Sequence, residues 1–509
     1  MGMSVRRRIF EGTFFISTAT LFARAGTFLA NVAIIRTLSQ ESVGRLGLLE
    51  SWLTLIGMVA GLGVSVAVTK YVPHYLEADR TRVGSLVSNS ILLTLLASIT
   101  VVVIGWLGFN TGWLGTAGRV YDVLTVYSMW FAGLVLTTSF KQILSAIHYG
   151  FQSFQVLIVP NIVVGLLSFP ATFFLVKSRS LHGALEARIL LTLIESVLLL
   201  HAVLVIGRRL NIRFSTHGFA RDCRQLLGFG LPNFIGQLGV SPVHAGLLSF
   251  LAEQPAGLNQ LALLTAANRL CALANFLPGS MAATLIPVLA GEWGKGKVEN
   301  FREGTRSAMR MLGIVNLPII LFFLALSPQL LNLLFGATYR DAGPLAFVLL
   351  LVVFLACLNE TADRSLAAAG RVWLSTANNF LWALGFIGLA AWLVPKYLSR
   401  GYVGAYFISF AAYVVWQLWW MRRLFQTDLR NLTPLLWLSL TLVALSSLIA
   451  ILPDLALQIV LTGVLISSCL LLLWTKVLTN AERQALLNQR ARLFGAAGGW
   501  FRDLRGGKP

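Results

Sequence analysis

Long apolar runs, interrupted at short intervals by polar and basic residues, make up almost the whole chain. About 20 consecutive apolar residues span the hydrocarbon core of a bilayer as one α-helix. The interruptions predict helices near 14–35, 43–68, 84–107, 120–141, 154–176 and 181–206. After a polar, basic stretch from Gly207 to Gln225 come 226–251, 261–290, 308–335, 343–366, 373–395 and 401–424, then two last spans near 433–452 and 455–478. The pattern predicts an all-α polytopic membrane protein with about fourteen transmembrane helices.

The same breaks divide the chain into an N-terminal six-helix lobe (1–206), a basic linker (207–225), a C-terminal six-helix lobe (226–424), two additional helices (425–478) and a basic tail (479–509). A weak repeat relates the lobes. The second helix ends in Lys70-Tyr71-Val72-Pro73 before a charged loop, and the eighth in Leu285-Ile286-Pro287 before another. Both lobes then start on one membrane side, which predicts a pseudo-twofold axis along the membrane normal. Parallel repeats of this kind mark transporters whose site lies where the repeats meet.

Composition agrees, with 57% hydrophobic and only 12% charged residues across 509 positions, against about 25% charged in soluble domains. The net charge of +20 would suit nucleic acid, but no polar stretch is long enough to form a basic soluble domain. The charge is instead distributed as the positive-inside rule requires. Of 40 Lys and Arg, 29 fall on the side of the N-terminus, 8 on the other and 3 (Arg24, Arg188, Arg269) within spans. Both termini are therefore predicted to be cytoplasmic. The run after Arg6-Arg7-Arg8 is too long for a signal-peptide core and reads as the first span. Cys223, Cys271, Cys357 and Cys469 are scattered, so no disulfide framework, zinc site or other metal is predicted.

Ionisable residues inside spans are expensive and face a cavity or a partner. Here they are Arg24, Glu50, Glu186, Arg188, Glu195, Arg269, Glu360, Asp363 and Arg364. Arg24 and Arg269, one per lobe, have two readings. They face a shared cavity and grip an anion, because guanidinium forks hold phosphate oxygens bidentately, or each pairs with a buried acid, for example Arg24 with Glu50. Glu50 is a cavity acid, in a salt bridge or as a coupling group. Glu186 and Arg188 are expected to snorkel to the outer surface, Glu195 to find an interhelical partner, and Glu360 and Arg364 to pair as i, i+4 neighbours. Pro232 and Pro242 in the seventh helix, and Pro278 and Pro287 in the eighth, are candidate hinges. No phosphate-binding loop, HExxH or catalytic outer domain is present, so the chain does not read as an enzyme and calls for no cofactor.

The stretch Ala33-Ile34-Ile35-Arg36-Thr37-Leu38-Ser39-Gln40-Glu41-Ser42-Val43-Gly44 resembles the first external turn of the bacterial polysaccharide transporter family, within the multidrug/oligosaccharidyl-lipid/polysaccharide exporter superfamily. Arg24 midway along the first helix and Tyr71-Val72-Pro73-His74-Tyr75 closing the second also match, while Gln40 and Val43 depart from the motif. The resemblance implies two six-helix lobes and the flipping of undecaprenyl-diphosphate-linked oligosaccharide across the bacterial inner membrane. The purpose would be O-antigen, capsule or exopolysaccharide export, beside glycosyltransferases and a polymerase. By position it places substrate-binding arginines at Arg24, Arg45 and Arg269, with an interfacial charge as the plainer reading of Arg45. A cation-coupled multidrug exporter of the same superfamily would prefer acids in its cavity. A membrane glycosyltransferase or polymerase would need a catalytic face that the short connections do not provide.

Overall fold

The computed structural model describes residues 24–111, 118–275, 293, 297–426, 433–452, 454–478 and 483. Helices account for nearly all of them. The first, α1, covers 24–37. Ser39 then caps α2 (Gln40–Gly61), its hydroxyl accepting the Ser42 amide at 3.3 Å. The second span is broken once. Leu62 and Gly63 take positive φ (45° and 70°) before α3 (Val64–Ala78) resumes. At that break a Cβ on Gly63 would lie 2.2 Å from the Gly230 carbonyl oxygen, so backbone meets backbone there.

Then follow α4 (Arg80–Asn110), α5 (Arg119–Val126), α6 (Ser128–Gly150) and α7 (Ile158–Arg209), the last being two spans that meet at Ser180. Beyond residues 210–218 lie α8 (Phe219–Gln237), α9 (Ser241–Glu253) and α10 (Gly257–Ala274). The chain continues through α11 (Val298–Phe335), α12 (Gly343–Ala368) and α13 (Val372–Phe425, two spans meeting at Leu398), then α14 (Thr433–Ile451) and α15 (Leu455–Leu472). Among the described residues, nine helical segments are long and apolar enough to cross a membrane. Two of these, at 55 and 53 residues, are long enough to cross twice. With α1, α10 and α14 the total is about fourteen crossings, as hydropathy predicts. The second span runs from the turn at Ser39, towards one membrane face, to that at Asp79, towards the other.

Two expected elements differ. The seventh span, read as continuous over 226–251, starts at Phe219 and is interrupted between Gln237 and Ser241. The ninth, read from 308, starts ten residues earlier, at Val298. Its first turns carry Glu299, Arg302 and Arg306, an amphipathic extension invisible to a hydropathy window.

The chain forms two compact units, with α11, α12 and α13 contributing segments to both. The first comprises Met1–Leu273, Leu330–Val352 and Gly370–Val415. One of its cores gathers Val68, Val72, Val87, Ile143, Ile147 and Leu226 from four helices. Polar ties hold α8 on this core: Asn89 Nδ2 donates to buried Asp222 at 2.8 Å, and Gln225 Nε2 to the Tyr75 hydroxyl at 2.8 Å. At the Ser39 face, Glu253 accepts the Arg119 and Val120 amides (3.1 and 2.8 Å) and so caps α5. Arg119 in return donates to the Gln254 carbonyl at 2.5 Å beyond the end of α9.

The second unit comprises Ala274–Gln329, Val353–Ala369 and Trp416–Pro509. Polar pairs stitch it: buried Thr305 with Ser365 (3.1 Å) and Asn316 with the Cys357 sulfur (2.8 Å), and Gln417 with part-buried Asp363 (2.7 Å). Large apolar side chains such as Ile104, Leu384, Trp437 and Ile451 are more than half exposed. In a membrane protein these are the lipid-facing residues.

Candidate functional site

The first unit holds a charge cluster well inside the bilayer. Glu50 lies ten residues past the start of α2, about 15 Å deep at 1.5 Å per helical residue. Its Oε1 accepts Arg188 Nη1 of α7 at 2.5 Å, and its Oε2 accepts Arg269 Nη2 of α10. Three helices therefore meet on one carboxylate. Two guanidiniums, which stay protonated in proteins, against one carboxylate leave a formal charge of +1.

A cavity of about 190 Å³ opens beside the cluster, lined by Glu50, Ser51, Thr54, Thr265, Asn268 and Arg269 among others. Arg269 has five N–H donors, and its Nε is buried without a hydrogen-bond partner. The Nε atoms of Arg45 and Arg364 are in the same state, so this feature is not peculiar to the cluster. In the cavity wall Thr265 projects from α10 onto Gly47, where a Cβ would lie 2.2 Å from the threonine oxygen. Trp52 Nε1 donates to Ser249 at 3.0 Å nearby, fixing α2 on α9.

Of the residues singled out from sequence, the structure brings Glu50 and Arg269 together. It joins them to Arg188, which was expected to snorkel and instead turns inward. Arg24 is exposed at the start of the described part of α1 and is not among the partners of Glu50, so the example pairing of Arg24 with Glu50 gives way to Arg188 and Arg269. Arg45 pairs with Glu41 at 2.6 Å near the Ser39 face, both side chains being exposed. Glu186 takes Arg179 across the Ser180 break at 3.0 Å, Glu195 takes Lys141 of α6 at 3.0 Å, and Glu360 takes Arg364. Pro232 lies within α8 and Pro242 opens α9, on either side of the interruption in the seventh span. Pro278 and Pro287 fall outside the described residues.

Sequence reading missed Arg188 as a cluster member. The available signal was an arginine eight residues into an apolar span, a depth of about 12 Å, which is hard to bridge by snorkelling.

Comparison with known proteins gives a consistent picture. The family profile described as "Polysaccharide biosynthesis protein" matches residues 9–292. The EPS I polysaccharide export inner membrane protein EpsE of Ralstonia nicotianae is 22% identical over 377 residues, covering 73% of this chain and 84% of that protein. Among solved structures, an inward-facing multidrug resistance MATE family transporter of the MOP superfamily aligns with a TM-score of 0.66 at 18% identity, covering 81% of this chain and 98% of its own. The lipid II flippase MurJ, in an inward closed conformation, aligns with a TM-score of 0.65 at 16% identity, covering 90% of this chain and 98% of its own. At these identities the structural likenesses establish a common fold.

Proposed function

This chain belongs to the polysaccharide biosynthesis protein family, and on that premise we propose that it is a flippase. Its cargo is an undecaprenyl-diphosphate-linked oligosaccharide, carried across the bacterial inner membrane by alternating access. The observation that carries the reading is the net-positive Glu50–Arg188–Arg269 cluster, which opens on a cavity. A diphosphate suits that environment: it is polyanionic, and forked donors match its oxygens. Arg24 and Arg45 serve as further phosphate contacts along the path, and Pro232 and Pro242, with Pro278 and Pro287, as the bending points.

Further support comes from the relative named for polysaccharide export at an inner membrane and from the Lys and Arg asymmetry, which favours a cytoplasmic Asp79 face and cytoplasmic termini. Glycosyltransferases and a polymerase are the partners such a role requires, and no chemistry on the substrate is needed. A cation-coupled drug exporter fits less well, because the carboxylate lining this cavity, Glu50, already serves two arginines.

The test is transport in proteoliposomes of a fluorescent short-chain polyprenyl-diphosphate sugar. Arg269→Gln and Arg24→Ala should each slow translocation by at least about tenfold, the equivalent of losing one charge-assisted contact, at unchanged protein level. Glu50→Gln should retain diphosphate binding, because it releases both guanidiniums. Full transport in both arginine variants would remove the assignment.

A further inference from the structure

A larger cavity lies in the same unit, towards the Asp79 end of α3. It is an open groove of about 660 Å³ between α3, α6 and α8, with Lys70, Lys141, Gln142, Ser145, Tyr149 and Phe229 in its wall. Ligand cavities fall between about 300 and 1,000 Å³, so this space is of ligand size, whereas the 190 Å³ space beside Glu50 is not.

Its charge is unbalanced. Lys141 is paired with Glu195 at 3.0 Å. Lys70 is paired with no carboxylate among the described residues; its ammonium instead rests 3.8 Å from the centroid of the Phe229 ring. Lys70 is exposed on α3, nine residues before Asp79, about 13 Å along the helix. A cation–π contact is a weaker partner than a charge-assisted hydrogen bond, so an anion arriving here takes the lysine from the ring. The rest of the wall suits an amphipathic guest. Val66, Ala146 and Phe229 are apolar, and Gln142 and Ser145 offer neutral hydrogen bonds.

We infer that this cavity is a reception site for the diphosphate end of the polyprenyl-linked cargo, with Lys70 as its phosphate ligand and Lys141 as a second, partly neutralised cation. The site rests on the flippase reading and adds a station to it. Cargo is first held at Lys70, near the Asp79 face, and then passes to the arginine cluster nearer the Ser39 face. A lysine is well suited to the first station, because its single flexible charge releases an anion more readily than a guanidinium fork does.

The experiment is photolabelling with a diazirine-bearing farnesyl diphosphate, on the full chain in phosphatidylcholine nanodiscs, with the labelled peptides mapped by mass spectrometry. Label is expected on the segments around 65–70, 141–149 and 229. It should fall about tenfold in Lys70→Gln, and it should be absent with the farnesol analogue. Ser145→Trp, which fills the cavity and leaves both lysines in place, should block labelling as well. Unchanged melting temperature in each variant separates loss of the site from loss of the fold. Label confined to the neighbourhood of Arg269, or indifferent to Lys70→Gln, overturns this site and leaves the flippase reading standing. Label abolished by adding phosphatidylglycerol also overturns it, because the occupant is then a bilayer phospholipid. Lysine-dependent label in a protein that fails the transport assay keeps the site and sinks the flippase reading.

Discussion

The hairpin of the fifth and sixth spans and that of the eleventh and twelfth turn on the same backbone device. Ser180 sits at φ 51°, ψ −129° and Leu398 at φ 51°, ψ −126°, 218 positions apart. These are close to the angles of the first central residue of a type II′ turn. Three residues on, Gly183 and Gly401, again 218 apart, bring the returning helix against the carbonyls of Leu175 and Leu393, which are also 218 apart. The side chains on the returning helices differ. Arg188 and Glu195 of the sixth span join ion pairs with Glu50 and Lys141. Tyr406 and Tyr413, at the corresponding positions of the twelfth, pack in an aromatic group with Trp382 and Phe410. The turn is held by steric rules that only a few residues satisfy. The helix faces beyond it are not so held, and there one half has acquired charge and the other aromatic rings.

The equivalence of the turns can be broken at the glycines, where the largest effect is expected. A Cβ on Gly183 would stand 1.9 Å from the Leu175 oxygen, and one on Gly401 would stand 2.2 Å from the Leu393 oxygen. Both obstacles are backbone, with no flexible side chain to yield. Gly183→Val and Gly401→Val should each cost more than about 3 kcal/mol, the upper range for overpacking. Each should abolish the monodisperse peak in detergent size-exclusion. One variant folding normally would mean that the two turns share angles but not constraint.

Next in size are substitutions that probe the divergence itself. Glu50→Gln leaves Arg188 and Arg269 without their acid. Breaking a fully buried pair costs about 3–5 kcal/mol; with the Glu50 side chain 20% exposed and Arg188 44% exposed, screening reduces the expected loss to about 1–3 kcal/mol. Removing Arg188 as well should recover part of the melting temperature, because one carboxamide then faces one guanidinium. In the other half, Tyr413→Phe removes a 2.7 Å hydrogen bond to Asn379, worth about 1 kcal/mol, and should give the smaller shift in the same melt.

Much of this was legible in the sequence, and the rest was hidden for identifiable reasons. The Ser180 and Leu398 turns fall where hydropathy breaks, at Lys177-Ser178-Arg179-Ser180 and Pro395-Lys396-Tyr397-Leu398, so both pairs of spans were separable. The interruptions at Leu62-Gly63 and at Leu238-Gly239-Val240 contain no charge, and a hydropathy window passes over them. Glu50, Arg188 and Arg269 were each recognisable as costly intramembrane charges. Their convergence was not, because it depends on which faces of α2, α7 and α10 meet, 138 and 219 residues apart in the chain. Lys70 was counted among the loop cations. The continuation of α3 to Ala78 puts it on a helix instead.

The smallest expected effect is also the most selective, because it asks whether the two turns carry the same strain. A non-glycine residue at positive φ outside the left-handed helical region costs on the order of 1–3 kcal/mol. Glycine removes that cost but returns up to about 1 kcal/mol as unfolded-chain entropy. Ser180 is exposed and its side chain contributes little else, so Ser180→Gly should raise stability by roughly 0.5–1 kcal/mol. Leu398 is half-buried, and Leu398→Gly sacrifices apolar contact worth about 1–2 kcal/mol, so the same relief should be cancelled or reversed. Opposite signs in paired thermal melts would place the strain in the backbone and the difference in the side chains. Equal signs would mean that the turns differ in more than what they carry.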